Sequence, residues 1–411
     1  MKISHLDCMK CKGRGFCNLS YCPIHSKADS LYRAKELVRG ETFSGSSPAP
    51  FVGRFGYPHV NVGILSPPEI TESAWLYDAP NFWAKENFQI PQIIGYRSSL
   101  INSRFKADIK ATNKLIDIGR EVGMSSKPVD IEFSLERKPS FRLSFEADTA
   151  PMGANATLKK AEITSNPKVH VKVEKAVSDT DLKANDALIS LYGSGFDENF
   201  LSRLLSIGNL GIKHQRKLVP TRWSITATDD AIAKNLMQKI KQNNETEYSA
   251  YFGSYLGNYY LVLFFPEMWS FELFETYMPK VSWNVTNRIQ YSTDYEPYSG
   301  RKKYAENCAG GYYASRLAVL EKLNLLRKQG SCLCLRFITD DYAVPLGVWV
   351  VREATRKALE ERPIEFSSRE LMLKYAESFV MKKFGYDISE ILNRSILLKE
   401  MKSQTKLANF A

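Results

Sequence analysis

Four cysteines crowd the start of the chain: Cys8, Cys11, Cys17 and Cys22, spaced C-x2-C-x5-C-x4-C. So short a segment has no core in which to bury four thiols, so it needs a cross-link or a metal to hold a shape. Zn2+ takes thiolate or imidazole ligands in a tetrahedron, and a C-x2-C pair supplies two of its corners. Gly13 and Gly15 let the chain double back, and Pro23 stiffens the exit. His5 and His25 are substitute ligands. A site filled by four protein ligands is structural rather than catalytic. The competing reading is four free thiols or a redox pair. The chain has seven cysteines, and the distant Cys308, Cys332 and Cys334 read as core thiols. This usage fits a reduced, cytoplasmic setting better than a secreted disulfide framework. The opening residues lack the apolar stretch of a signal peptide, and no run reaches the ~18 apolar residues of a membrane helix, so no membrane partner is expected.

A chain of 411 residues exceeds one ordinary core, so two or three structural units are expected. Aromatic content of 12% excludes disorder as a whole-chain state. The fold class expected is α+β. A mixed body, 28–385, lies between a cysteine knuckle, 1–27, and a C-terminal helix and tail, 386–411, with no internal border legible. Periodicity predicts helices at 28–40, 81–120, 183–206, 229–243, 308–328, 348–360 and 367–384. It predicts a strand pair over 128–147, and strands at 170–177 and 332–338. A hairpin is expected over 250–265, turning at Gly257-Asn258. The Gly, Ser and Pro density of 41–68 forbids a helix and implies a long ordered loop or short strands.

A net charge of +11 favours a polyanionic partner, DNA foremost, over a merely solvated basic surface. Three stretches concentrate phosphate-binding side chains. The first, 51–59, offers Arg54, Tyr57 and His59 on a glycine-rich loop. The second, 213–230, offers Arg216, Lys217 and Arg222 ahead of Ser224 and the carboxylates Asp229 and Asp230. The third, 294–316, offers Arg301 and Arg316, with a helix starting at Gly310-Gly311 whose N–H groups can face a phosphate. Two functions stay open. One is a DNA-binding surface in which Asp229 caps the next helix. The other is a phosphodiesterase or nuclease acting on damaged or adducted DNA ends. There Lys217 and Arg222 would neutralise developing charge, and His59, Asp229 or Asp230 would carry proton transfer or hold Mg2+ or Mn2+. Asp340-Asp341 reads as a turn.

Residues 404–411 read Gln-Thr-Lys-Leu-Ala-Asn-Phe-Ala. They resemble a PCNA-interacting peptide (PIP motif). Leu407 and Phe410, three apart, share one face of a helical turn, and Gln404 can bond at a pocket rim. Ala411 stands where the motif has a second aromatic, which weakens the grip by ~1–3 kcal/mol. The knuckle, VGRFGYPHVNVG at 52–63, RKLVPTRWSITATDD at 216–230, GGYYASRLAVLEKL at 310–323 and VPLGVWVVREATRKAL at 344–359 together resemble the Nre family of archaeal DNA-repair proteins. The resemblance covers essentially the whole chain. It implies a zinc-finger-like N-terminus at the four cysteines, a role in repairing damaged DNA, and recruitment to a sliding clamp of the PCNA type through Gln404, Leu407 and Phe410.

Overall fold

The computed structural model describes residues 22–38, 40–141, 151–281 and 283–403, so Cys8, Cys11, Cys17, Gln404, Leu407 and Phe410 lie outside the described residues. The chain forms two compact units that part at 232/233, inside one helix. The first holds the described chain up to Ile232 together with 344–346, and the second holds the rest. Among the described residues no helix is long and apolar enough to cross a membrane.

The first unit starts with helix α1 (Pro23–Leu37) and strands β1 (Thr42–Ser47), β2 (Ala49–Val52) and β3 (His59–Ser66). There follow α2 (Pro80–Lys85), α3 (Ile90–Ser99), β4 (Ile101–Asp108), α4 (Lys114–Met124), β5 (Val129–Leu135) and β6 (Asn155–Ile163). It ends with α5 (Val171–Ser178), α6 (Ala184–Tyr192), α7 (Glu198–Ser206) and the opening of α8 (Thr221–Ile240). The strands pair in the order β1-β5-β6-β4-β3-β2, with β4 and β6 parallel and the other neighbours antiparallel. Only Pro48 separates β1 from β2, so the two ends of this row are halves of one bent strand and the sheet closes on itself. Proline has no N–H to give a sheet partner, which suits the point where the strand leaves β5 for β3. Arg203 holds the bend, donating to the carbonyls of Pro48 (2.5 Å), Gly123 (3.2 Å) and Ser125 (2.8 Å).

With the bent strand taken as one, the order around the barrel is first, second, third, fifth, fourth. The third and fifth strands run parallel, and α4 lies between the third and fourth. This is the connectivity of an OB barrel. Val60, Val62 and Ile64 of β3, Phe105 of β4, and Ile131 and Phe133 of β5 fill the interior, joined by Ile116 and Val122 of α4. The outer face of β4 keeps Arg104 and Lys106 in water, because side chains alternate across a strand.

Two expectations fail here. Residues 101–108 are a strand, not part of a helix: Ile101, Ser103, Phe105 and Ala107 turn inward with a period of two. Residues 171–178 are a helix, not a strand: His170 Nδ1 accepts from the Lys172 N–H, and the buried residues are Val173 and Ala176, three apart. The glycine- and proline-rich 41–68 is indeed short strands.

The second unit contains β7 (Asn244–Glu245), β8 (Ser249–Tyr255), β9 (Asn258–Phe265), β10 (Ser270–Tyr277) and β11 (Gln290–Glu296). After these come α9 (Ala309–Leu326), β12 (Lys328–Gln329), β13 (Ser331–Ile338), α10 (Trp349–Glu360), β14 (Ile364–Glu365), α11 (Arg369–Phe384), α12 (Ser389–Arg394) and α13 (Ile396–Ser403). Six strands form a mixed sheet, β11-β10-β13-β9-β8-β14, in which β10 and β13 are parallel. The expected hairpin is β8–β9, and Leu256 and Gly257 both take positive φ (50° and 74°), the backbone of a two-residue turn.

On one face of this sheet Leu261, Leu263, Leu333, Leu335 and Phe337 pack with Met372, Ala376 and Val380 of α11 and Leu397 and Leu398 of α13. The other face carries α9 and α10. There Tyr260 Oη lies 3.2 Å from Ser315 Oγ, and a Cβ added to Gly253 would come within 2.6 Å of Ala358 Cα. The last helix is locked to the sheet by Glu272. Its carboxylate accepts from Ser395 Oγ (2.5 Å) and from the N–H groups of Ile396 and Leu397 (3.1 Å each). Helices α12 and α13 therefore belong to this unit's core rather than to a detached tail.

Candidate nucleic-acid interface

The loop joining β2 to β3 holds the first candidate stretch. Gly56 takes φ +84° and accepts the His59 N–H at 2.8 Å, which turns the chain sharply and leaves the loop side chains in water. Phe55 is 77% exposed and Tyr57 41%. The Arg54 guanidinium lies over the Phe55 ring, 5.0 Å from its centroid. His59 opens β3 opposite Asp108, with Nε2 3.9 Å from Oδ2 and the imidazole well exposed.

The second stretch comes up beside this loop. Helix α8 begins at Thr221, directly after Pro220, and Thr221 Oγ1 accepts the Val52 N–H at 2.9 Å, fixing the helix start against the end of β2. The Leu218 N–H donates to Ile109 O at 2.8 Å, tying the approach to the end of β4. Trp223, 45% exposed, thereby meets Tyr57 with ring centroids 5.1 Å apart and planes tilted by 55°. Lys217 and Arg222, on either side of Pro220, are exposed. Among the described residues none of Arg104, Lys106, Lys217 and Arg222 has an acidic partner. The first two stretches thus form one surface of cations and exposed rings on the barrel unit.

Arg216, although in the same segment, faces inward. Its guanidinium donates to the carbonyls of Gly211 (2.6 Å), Val177 (2.8 Å) and Asp179 (2.7 Å), and burial lowers its pKa. It shapes the loop rather than meeting a phosphate. The Asp229 cap reading is also corrected. With the helix starting at Thr221, Asp229 lies in its interior, 1% exposed, with Asp230 half-buried beside it. Ser224 is buried and bonded to Thr221 O at 3.0 Å. Among the described residues no cluster of three or more His, Cys, Asp or Glu is placed to hold a metal ion.

The third stretch is structural. Arg316 is 1% exposed and bonds Glu296 at 2.7 Å, while Trp269 Nε1 donates to the same carboxylate at 3.1 Å. Arg301 pairs with Asp294 at 3.0 Å and donates to the carbonyls of Tyr295, Lys303 and Tyr304. The start of α9 is filled from within. Asp294 Oδ2 accepts the Cys308 N–H at 2.8 Å, and a Cβ on Gly311 would lie 2.4 Å from Glu275 Oε1. Glu275 in turn pairs with Arg336. Tyr313 is buried and accepts the Ala305 N–H at 3.0 Å. Cys308, Cys332 and Cys334 are core thiols as expected, with burial pushing each pKa up.

Sequence reasoning passed over Phe55 and Trp223, which sat inside the chosen motifs, and over Arg104 and Lys106. For the last two the signal was the alternation in Ile-Asn-Ser-Arg-Phe-Lys-Ala-Asp, which places both cations on the outer face once the segment is read as a strand.

The family profile described as Archaeal Nre, N-terminal, matches residues 16–284, and that for Archaeal Nre, C-terminal, matches 296–410. A DNA repair protein NreB from Archaeoglobus fulgidus is 36% identical over 401 residues, spanning 97% of this chain and 99% of its own. A DNA repair protein NreA from Haloferax volcanii is 38% identical over 80% of each chain. A DNA repair protein NreA from Archaeoglobus fulgidus is 35% identical over 92% of this chain and 94% of its own. No solved structure matches, so the barrel is assigned from its connectivity alone. With both profiles and full-length relatives in agreement, the chain belongs to the archaeal Nre family.

Proposed function

We propose that this protein acts in DNA repair by holding DNA on the exposed face of its barrel unit while its tail tethers it to a PCNA-type sliding clamp. The observation that carries the DNA-binding half is the Tyr57–Trp223 ring pair, set in water on a unit that exposes Arg104, Lys106, Lys217 and Arg222 with no acid partner for them among the described residues. Burying such rings against each other and against solvent-shielded neighbours would favour folding, so leaving them exposed argues for a ligand that covers them. The names of the full-length relatives support the repair setting. The tethering half rests on Gln404, Leu407 and Phe410, whose spacing suits a helical turn plugged into an apolar pocket. A tether raises local concentration at the clamp without requiring tight DNA binding.

The zinc proposal keeps Cys8, Cys11, Cys17 and Cys22 as ligands. Cys22 is a half-buried free thiol at the N-cap of α1. That donor set suits Zn2+, which would serve as a cross-link for the segment preceding α1.

The test has two readouts on the full chain. Fluorescence anisotropy with labelled DNA should give saturable binding that weakens with salt, and clamp pull-down should be lost on deleting 404–411 while the thermal transition stays put. Binding that ignores salt, or pull-down that survives the deletion, defeats the respective half. The same samples with Mg2+ or Mn2+ and nicked or adducted DNA test the hydrolase alternative. Turnover sensitive to Arg222→Ala would replace binding with catalysis at this surface.

A further inference from the structure

We infer that the DNA held on this surface is single-stranded, with its bases stacked on Tyr57, Trp223 and Phe55 and its phosphates running along the outer face of β3 and β4. The inference rests on the DNA-binding reading above and specifies the ligand's form. In a duplex both faces of every base are covered by its neighbours and only edges are offered in the grooves, so a side-chain ring finds nothing to stack on. An unpaired base offers a whole face, and aromatic platforms beside cations take it with little regard to sequence.

Three features of the barrel fit that partner. The rings are presented by two different segments: Phe55 and Tyr57 from the loop after β2, Trp223 from the first turn of α8. Their tilt of 55° makes a notch rather than a closed stack, so a planar group can lie on either ring. Arg54 lies over Phe55, and Lys217 and Arg222 are exposed on the segment that presents Trp223.

The second feature is a track leading away. Arg104 and Lys106 project from the outer face of β4, with Gly63 and Asn61 of β3 as their cross-strand neighbours. From Arg104 to Asp108 the strand advances about 13 Å, four steps of ~3.3 Å, and there reaches the end that bears His59 and the loop rings. The third is the balance of charge along that path. Asp108 is the acid on it among the described residues, at the end where His59 Nε2 lies 3.9 Å from its Oδ2. On the far side of the barrel the outer face of β5 carries Asp130 and Glu132 instead, so a phosphate backbone is steered to β3 and β4.

The experiment is titration of the full chain with a ~12-nucleotide single strand, a duplex of the same sequence and the matching RNA, a length within the ~4–16 nucleotides one such barrel covers. Single-stranded DNA should bind at least about ten-fold tighter than duplex and quench tryptophan emission, and Trp223→Phe should abolish most of the quench. Tyr57→Ala with Trp223→Ala should weaken the single strand about ten-fold or more at an unchanged salt slope, while Tyr57→Phe keeps affinity. Lys106→Ala should instead lower the salt slope by about one. Equal binding of duplex and single strand, or a neutral double ring variant with an unchanged thermal transition, overturns this inference yet leaves DNA binding standing. Tighter binding of the RNA overturns it in favour of RNA. Absence of binding to any DNA form removes the underlying reading as well.

Discussion

The exposed surface of the first unit and the core of the second treat their arginines in opposite ways. Around the β2–β3 loop and the start of α8, Arg54 and Arg222 stand in water next to exposed rings. In the second unit Arg316 and Arg336 are taken into the core, each paired with a glutamate from a neighbouring strand, Glu296 and Glu275. A buried charge without its partner is costly, whereas a surface charge costs folding little either way. Identical side chains are thus structural in the second unit's core and available to a ligand on the first unit's surface. Local sequence does not separate the cases, because Gly300-Arg301 and Gly53-Arg54 look alike until their acids are located.

The comparison can be broken or sharpened by substitution. The largest effect is expected from Glu296→Ala, which removes the Glu296 carboxylate from buried Arg316 and from Trp269. A loss of about 3–5 kcal/mol should appear in urea unfolding, and a loss under ~1 kcal/mol would deny that these pairs are structural. Next comes Arg203→Ala, which strips three carbonyls at the bend of the barrel strand and should cost about 3 kcal/mol. This case tests whether an arginine of the first unit is structural once its donors are spent on backbone. Glu272→Gln should cost about 1–2 kcal/mol. It should do so locally, with faster hydrogen exchange at Ile396 and Leu397, and uniform exchange across the second unit would contradict the anchoring of α13. The smallest stability effect is expected from Arg222→Ala, within about 0.5 kcal/mol, although DNA binding should weaken and its salt slope fall by about one. A large drop in thermal midpoint for that variant would erase the contrast.

Much of the second unit was legible from sequence. The β8–β9 hairpin has its Gly257 turn, and α9 and β13 fall within a residue or two of their expected bounds. The barrel was harder for a definite reason. Leu100, Ile101, Phe105 and Ile109 advance mostly in steps of four, and four is close to a helical turn yet also a multiple of the strand period. The intermediate inward positions, Ser103 and Ala107, carry little hydrophobic signal, so the strand was masked. At 171–177 the opposite happened: Val171 and Val173 imitate alternation, but Val171 is 75% exposed. The border between units lies inside α8, so no run of glycine, proline or serine announced it. The profile boundary between 284 and 296 falls elsewhere again, within the second unit.

The candidate surface was half legible. Motif composition pointed to Arg54, Tyr57, Lys217 and Arg222, and these are exposed. It could not reveal that Arg216 spends its donors on three carbonyls, or that the start of α9 is already occupied by Asp294. Both facts depend on residues 5 to 39 positions away along the chain.

The bend at Pro48 reaches beyond the folding of one strand. By handing the chain from β5 to β3 it gives each described barrel strand two neighbours, although β4 and β6 meet only over Asn102–Arg104, and so shortens the open edge onto which a foreign peptide could zip. Visitors to this half of the molecule are therefore met mainly by side chains and loops, and chains crowded together in a cell find less β-edge here on which to begin a fibre.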